Sequence, residues 1–299
     1  MSKATFRVFI DGEAGTTGLQ ITLSSMSFEA MMESVRVAKA YLQNGGKNLL
    51  GLHLEGPYFS MEKRGAHVAK YIRKATRPEL ETIIAACDGL PTYMTLAPEQ
   101  QDADCLDLLL ASPIKLALGH SSATYWQAKV AFERGFSRVT HLFNAMTQFQ
   151  SREPGIVGAT YDSQARASII ADGIHCDFAS VRISKQIMQQ RLFLITDAVT
   201  QDTRGDYSFQ FAGDRYTDQN GVLSGSALTM IQAVQNCVEK VGIPLDEALR
   251  MATLYPAQVI DQAHVIGQIA PEFDADLVVF DAQYQVKALV EKGVIEWFS

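Results

Sequence analysis

The feature that most constrains the fold is a regular alternation of short apolar runs with amphipathic stretches, which begins near residue 48. Near-continuous apolar strands separated by helical segments are typical of a parallel sheet covered by helices. The chain is therefore predicted to be an α/β protein. The six apolar runs are Leu49–Pro57, Thr92–Glu99, Ile114–Ser121, Arg138–Ala145, Ala167–His175 and Leu192–Val199.

The segments beside these runs carry apolar residues at helical spacing, and after residue 265 the pattern changes to short alternating segments. The spacing predicts helices, and the alternation predicts a small β-unit at the end of the chain. The predicted helices are Phe28–Leu42, Glu79–Cys87, Asp102–Leu110, Ala123–Arg134, Phe178–Gln189, Ser226–Val241 and Leu245–Ala257. The predicted C-terminal strands are Asp276–Phe280, Val286–Val290 and Val294–Phe298.

Every apolar run ends in side chains that are capable of acid–base or metal chemistry. These side chains are Glu55, Glu99, His120, His141, Asp172 with His175, and Asp197. In a (β/α)8 barrel the carboxyl ends of the strands form the active-site face. A doubly wound sheet also places function at strand ends, but at one crevice near a switch point. Six successive strands with reactive ends favour the barrel.

Three of these strand ends offer a set of metal ligands. Glu55, His120 and His141 provide one carboxylate and two imidazoles, a common set for catalytic zinc. Such a metal lowers the pKa of a bound water toward about 7, and Asp197 could then act as the general base. The alternative is that each residue is structural and satisfied locally. The residue pattern by itself leaves both interpretations open, so the neighbouring motifs decide.

Composition limits the classes of partner. The 299 residues carry a net charge of −7, which argues against nucleic-acid binding because that function usually needs a basic excess. The four cysteines form no CxxC pair, so reduced thiols are expected. No signal peptide and no apolar run of about 20 residues is present, so we expect a cytoplasmic protein without a membrane partner.

Nine motifs follow one another in a specific order. They are HLEGP, LAPE, GHS, THLFNAM, REPG, ADG, TDA, LSGSALTM and RMATLYPA. From about Ile21 to its end the chain resembles the N-acetylglucosamine-6-phosphate deacetylase family of metal-dependent amidohydrolases. The resemblance implies a TIM barrel that hydrolyses the acetamide of N-acetylglucosamine 6-phosphate to acetate and glucosamine 6-phosphate, a step of amino-sugar catabolism.

The resemblance also implies roles for individual residues. One divalent metal ion would be held by Glu55, His120 and His141, and Asp197 would act as general base and then as general acid. His67, in KRGAH, would contact and polarise the acetyl carbonyl, the alternative being an uninvolved surface histidine. The expected ion is Zn²⁺, although Fe²⁺ accepts the same mixed nitrogen and oxygen set.

A second group of residues would hold the sugar phosphate. The matching positions are Arg152, His175, Asn144 and Ala145, since arginine offers a planar fork for phosphate oxygens and histidine a further hydrogen bond. The alternative for Arg152 is a solvated surface pair with Glu153. The resemblance further implies a homodimer. It leaves open whether the substrate carries glucosamine or galactosamine.

The beginning of the chain departs from the family pattern. The family has β-sandwich strands and two barrel strands before HLEGP, whereas this sequence matches only the tail of the second strand, near Ile21–Ser25, and the helix after it. We therefore expect a barrel that is incomplete at its first strands, with a small residual β-sandwich unit. The predicted domains are residues 1–20, a replacement segment; 21–263, the barrel; and 264–299, the residual β-sandwich strands.

The replacement segment has its own resemblance. It is similar to the start of N-acetyl-γ-glutamyl-phosphate reductase, with Gly12, Gly15 and Gly18 in the spacing of a phosphate-binding turn. Its apolar stretch Phe6–Ile10 could instead occupy the slot of a missing barrel strand. Three hypotheses follow for the chain: a working deacetylase, an inactive truncated or fused remnant of one, and a nucleotide-binding module that uses the glycine turn.

Overall fold

A computed structural model of the chain describes residues 18–202 and 205–298. The predicted strand Phe6–Ile10 and the turn glycines Gly12 and Gly15 lie outside the described residues. The described chain divides into two compact units. The first comprises residues 20–165 and 205–207, and the second comprises residues 18–19, 166–202 and 208–298.

The first unit is built on strands that neighbour one another in chain order, each followed by a helix. The strands are β1 (Leu19–Ser24), β2 (Leu49–Glu55), β3 (Thr92–Leu96), β4 (Lys115–Leu118) and β5 (Arg138–Val139). The helices are α1 (Phe28–Gln43), α2 (Arg77–Ala86), α3 (Ala103–Leu110), α4 (Tyr125–Arg134) and α5 (Gly155–Tyr161). Short 3₁₀ turns occupy Met61–Lys63, Ala69–Tyr71 and Pro98–Gln100.

Local sequence explains these elements. All five residues of β3 are buried, as expected for an inner strand of a parallel sheet covered on both faces. Helix α4 begins with a capping box, in which Thr124 and Gln127 each bind the other's main-chain N–H. Gly135 caps its end, and the φ of 122° at this residue lies in a region that suits glycine.

One glycine fixes the contact between β2 and β3. Gly51 has a φ of 138°, and a Cβ atom added there would lie 2.2 Å from the carbonyl oxygen of Pro91. The same carbonyl accepts the N–H of Leu52. Because only glycine permits this approach, Gly51 sets how β2, which ends in Glu55, lies against its neighbour.

The second unit continues the alternation with two parallel strands, β6 (Arg166–Ile170) and β7 (Leu192–Ile195), which pair with each other. Its helices are α6 (Phe178–Met188), α7 (Met230–Asn236), α8 (Leu245–Ala252) and α9 (Leu254–Val259), with a 3₁₀ turn at Gln189–Arg191 and a π-helical turn at Cys237–Val241. Two antiparallel sheets follow: β8 (Gln210–Phe211) with β9 (Arg215–Thr217) and β10 (Leu223–Ser226), and β11 (Leu277–Phe280) with β12 (Val286–Glu291) and β13 (Val294–Trp297).

Two predicted helices are wrong in their bounds. Ser226 belongs to strand β10, and helix α7 begins only after Thr229, whose hydroxyl accepts the N–H of Gln232. The predicted helix Leu245–Ala257 is two helices that meet at Thr253. Pro256 explains the break, because proline lacks the N–H that would bind the carbonyl four residues earlier.

Parallel strands that alternate with helices in chain order are the arrangement of a (β/α)8-type barrel, so the predicted fold class is confirmed. The three predicted C-terminal strands are present as β11 to β13. Within the described residues, we find no helix with both the length and the apolar character needed to cross a lipid bilayer.

Candidate active site and metal centre

The three predicted metal ligands lie at the carboxyl ends of parallel strands in the first unit. Glu55 is the last residue of β2, and His120 and His141 each follow the end of β4 or β5 by two residues. Strands β2 to β5 are paired in parallel, so their carboxyl ends share one edge of the sheet. All three side chains are buried there.

Their donor atoms converge on one point. His141 Nε2 lies 3.1 Å from Glu55 Oε1 and 3.0 Å from His120 Nε2. His120 Nε2 lies 3.3 Å from the same carboxylate oxygen. Tetrahedral coordination with bonds of about 2.0–2.1 Å separates the ligand atoms by about 3.3 Å. The cluster therefore has the donor types and nearly the spacing that a bound divalent cation requires.

The protonation of His120 also suits a metal ligand. Its Nδ1 lies 2.9 Å from the carbonyl oxygen of Lys63. Because a carbonyl can only accept, Nδ1 must carry the hydrogen. In the neutral imidazole Nε2 then presents its lone pair toward the point on which the donor atoms of Glu55 and His141 also converge. A main-chain carbonyl that fixes the tautomer in this way is a common partner of metal-ligating histidines.

The charge of Glu55 points the same way. Burial would raise the pKa of its carboxyl group, but the neighbouring imidazole rings, first of all those of His120 and His141, hold the pKa well below its ordinary value. Glu55 is therefore an anion in a buried position. An ionised buried carboxylate is costly unless it is paired or binds a cation, and this cluster can supply such a site.

His67 lies beside the cluster, with its ring centroid 4.7 Å from that of His120 and 4.9 Å from that of Phe59. Its Nδ1 accepts the main-chain N–H of Ser25 at 3.2 Å. Because Nδ1 is the acceptor, a neutral His67 carries its hydrogen on Nε2. Burial, followed by the nearby His120, lowers the pKa of His67 to about 3. His67 is thus a neutral donor through Nε2, and it is not a surface residue.

Several candidate residues have a left-handed backbone. The φ values are 49° for His120, 34° for His141, 48° for Ala145 and 51° for Asp197. This conformation costs roughly 1–3 kcal/mol for a residue other than glycine and persists only where the surroundings enforce it. Each of these residues follows a strand of the parallel sheet. The sharp turns direct their side chains or main-chain groups away from the course of the strands.

The predicted phosphate-binding residues of the first unit follow His141. Asn144 is half-buried, and its amide donates to the carbonyl of Leu142 at 3.4 Å. The carbonyl of Ala145 accepts the N–H of Ser121 at 3.2 Å. Arg152 is exposed.

The alternative for Arg152 was a surface ion pair with Glu153, but the Glu153 carboxylate binds other groups. Its Oε1 atom instead accepts the main-chain N–H groups of Tyr125, at 2.7 Å, and Gly155, at 3.0 Å. The Glu153 carboxylate thus holds the starts of two helices, α4 and α5.

The second unit contains His175 and Asp197. Asp172 accepts the N–H groups of Ile174 and His175 at 2.8 Å, and its other oxygen lies 2.6 Å from His175 Nδ1. Burial raises the pKa of Asp172, but the bonds with His175 and Ile174 outweigh it and lower the pKa. Asp197 lies beyond the end of β7, where its carbonyl accepts the N–H of Ser226 at 3.0 Å.

Two contributors to the first-unit site have no role in the sequence-based predictions. One is the N–H of Ser25, which sets the tautomer of His67. Every residue except proline carries such a group, so no sequence signal marks it. The other is Glu99, which binds Ser121 and Ser122 directly after His120. Its signal is the acidic side chain at the end of an apolar run.

Comparison with known proteins gives consistent results. The amidohydrolase family profile matches residues 25–295. The N-acetylglucosamine-6-phosphate deacetylase of Haemophilus influenzae is 37% identical over 291 residues, which cover 94% of this chain and 76% of that protein. The N-acetylgalactosamine-6-phosphate deacetylase of Escherichia coli O157:H7 is 33% identical over 273 residues, which cover 88% of this chain and 72% of that protein.

Solved structures agree. The N-acetylglucosamine-6-phosphate deacetylase of Pasteurella multocida superposes with a TM-score of 0.88 at 32% identity, over 98% of this chain and 86% of that one. The corresponding enzyme of Thermotoga maritima gives a TM-score of 0.85 at 31% identity, over 93% and 78% of the two chains. The chain therefore belongs to the amidohydrolase family. Within that family its relatives are the amino-sugar-phosphate deacetylases, as the motifs HLEGP to RMATLYPA predict.

Proposed function

We propose that this chain hydrolyses the acetamide of N-acetylglucosamine 6-phosphate to acetate and glucosamine 6-phosphate. The observation that carries the proposal is the convergence of Glu55, His120 and His141 beside His67, which is held as an Nε2 donor. Similarity to a deacetylase, at 37% identity over 94% of the chain, supports a working enzyme over an inactive remnant. The nucleotide-binding alternative rests on residues 1–18, nearly all outside the described structure.

Glu55, His120 and His141 would hold one divalent cation. When bound, the cation would polarise the acetyl carbonyl and activate water for attack. We propose Zn²⁺, because one carboxylate and two imidazoles leave a fourth tetrahedral position for a non-protein ligand. Removal of metal followed by reconstitution with Zn²⁺ or Fe²⁺ tests this assignment. Turnover restored by Fe²⁺ and not by Zn²⁺ would contradict it.

The remaining steps are assigned to protein side chains. The Nε2–H group of His67 donates a hydrogen bond to the acetyl carbonyl oxygen. This oxygen becomes negatively charged as water adds to the carbonyl carbon. Asp197 takes the proton of the attacking water and then delivers it to the nitrogen. This delivery matters because an unprotonated amine is a very poor leaving group. The left-handed turn at Asp197 supports a positioned general base.

The phosphate is proposed to bind Arg152, His175, Asn144 and the main chain at Ala145. Asp172 holds Nδ1 of His175, so the Nε2 atom of that ring is the one available to a phosphate oxygen. A protonated His175 beside the carboxylate of Asp172 would add a charge-assisted hydrogen bond.

Acetate release from N-acetylglucosamine 6-phosphate by the metal-loaded chain tests the function directly. The matched control is Asp197→Asn, which keeps the shape of the side chain but removes the general base. We expect turnover in the native chain and its loss in the variant. Failure of a folded, metal-loaded chain to release acetate would contradict the proposal.

The similarity to an N-acetylgalactosamine-6-phosphate deacetylase favours a second candidate substrate. The two sugars differ only in the orientation of one hydroxyl, so kcat/KM for both, measured on one preparation, decides between them. The expected homodimer and the cytoplasmic location stay predictions. Light scattering of the purified chain tests the first, and fractionation of cells tests the second.

A further inference from the structure

Glu99 is a half-buried carboxylate at the end of the β3 run that the proposed reaction does not use. Its Oε2 atom accepts the hydroxyl of Ser121 at 2.6 Å, and its Oε1 atom accepts the main-chain N–H of Ser122 at 2.8 Å. The Glu99 carboxylate therefore binds two consecutive residues immediately after His120. Both of its oxygens are directed to this turn, and Glu99 does not belong to the ligand cluster.

The turn that Glu99 holds is strained. His120 has a φ of 49°, in the left-handed region that residues with a side chain disfavour. Such a conformation persists only where neighbouring groups over-determine it. The two bonds from Glu99 fix the residues directly after His120. The N–H of Ser121 adds a third bond, to the carbonyl of Ala145.

The other side of the same turn is held by residues 60–63. The N–H of Ser60 donates to the carbonyl of His120 at 2.9 Å, and the hydroxyls of Ser60 and Ser122 lie 2.6 Å apart. The carbonyl of Lys63 binds His120 Nδ1. Together these contacts fix both the backbone and the ring of His120. Glu99 is the charged member of this set and binds the turn through two separate atoms.

We infer that Glu99 is a positioning residue for metal binding: it holds the left-handed turn that aims His120 Nε2 at Glu55 Oε1. Its action passes through Ser121 and Ser122, so it touches neither metal nor substrate. Loss of partners that orient metal ligands typically costs about 10- to 100-fold in metal affinity. We expect a loss in that range for Glu99→Ala. A smaller loss is expected for Glu99→Gln, which keeps an acceptor for the Ser122 N–H.

The experiment measures Zn²⁺ affinity by competition with a chromogenic chelator, together with thermal unfolding of the metal-free proteins. Asp218→Ala is the matched control, because the Asp218 carboxylate also holds its own turn, in the β9–β10 hairpin, where it accepts the main-chain N–H groups of Asn220 and Val222. We expect native Zn²⁺ affinity in that control. A purely structural role for Glu99 would lower thermal stability and leave Zn²⁺ affinity unchanged.

Glu99→Gln decides the question if Glu99→Ala does not fold. Weaker Zn²⁺ binding by folded Glu99→Gln supports the inference, and native Zn²⁺ affinity in every folded Glu99 variant overturns it. The affinity measurement needs no turnover, so it stands even if the native chain proves not to be a deacetylase. Where the proposed function holds, activity at limiting Zn²⁺ falls in the variants and recovers with excess Zn²⁺, while KM is unchanged.

Discussion

Replacement of His67 separates the chemical from the structural role of this residue. The ring accepts the N–H of Ser25 through Nδ1 and presents Nε2–H as a donor. In His67→Asn the amide oxygen can occupy the place of Nδ1 and keep the Ser25 contact, but no donor reaches the position of Nε2. In His67→Gln the longer side chain carries its amide N–H close to the Nε2 position and loses the Ser25 contact.

The two variants are expected to differ mainly in kcat. Removal of one donor to a developing oxyanion costs about 2.7–4 kcal/mol, or roughly 10²- to 10³-fold in kcat. We expect a fall of that size in His67→Asn and a smaller fall in His67→Gln, with KM little changed in both. Steady-state kinetics at saturating metal provide the measurement, and unfolding curves show whether each variant is folded.

The relative kcat values of the two variants test the role of His67. If His67 acts only by packing against Phe59 and His120, the variant that preserves the Ser25 contact should be the more active one. A His67→Asn variant within about threefold of the native kcat would refute the assignment of His67 as the carbonyl donor. Equal losses in both variants, together with lowered stability, would point to a packing role.

Three further predictions concern other parts of the chain. Asp172→Ala removes the carboxylate that fixes the His175 ring through Nδ1, so KM for the phosphorylated sugar should rise about 10-fold, which corresponds to about 1.4 kcal/mol, while kinetics with unphosphorylated N-acetylglucosamine stay unchanged. Glu247→Gln should lower the free energy of unfolding at pH 7 by about 1.5–3 kcal/mol, because Glu247 binds Lys185 and two further side chains, which outweigh burial and lower its pKa. That stability is present above the ordinary carboxylate pKa of about 4.3 and is lost as pH falls through the lowered folded-state pKa, so denaturation curves of the two proteins should converge once the pH is below that folded-state pKa. Chelation of the metal should lower the unfolding temperature of the native chain, and Zn²⁺ at about 1,000 times its Kd should restore about 4 kcal/mol; an unfolding temperature that ignores Zn²⁺ would contradict a site formed by the folded chain.

The apolar runs predict the strands well because burial determines them. All five residues of Thr92–Leu96 are buried, and a continuous apolar run is the pattern that such a strand requires. The apolar runs do not predict where the strands end. Arg138–Ala145 contains a strand of only two residues, because His141, Phe143 and Ala145 have left-handed backbones that no strand contains.

The parts that were not predicted lack an apolar period that would distinguish them. The sheet β8–β10 has strands of two to four residues, too short for a period-2 pattern to be distinguished from a loop. The break at Thr253 follows from Pro256, which the periodicity of Leu245–Ala257 conceals. Apolar periodicity reports burial, and it carries no information about which main-chain hydrogen bonds are made.

The candidate site was also predictable only in part. The ligand types Glu55, His120 and His141 can be predicted from strand ends, since chain order brings those ends to one edge of the sheet. What makes them a site is the geometry of the turns that follow the strands. The carbonyl of Lys63 selects the His120 tautomer, and the Glu99 carboxylate binds the two residues after it. A strand end supplies a residue of the right type. The strained turn after the strand, which is held from both sides, then orients the side chain of that residue so that its lone pair faces the other ligands.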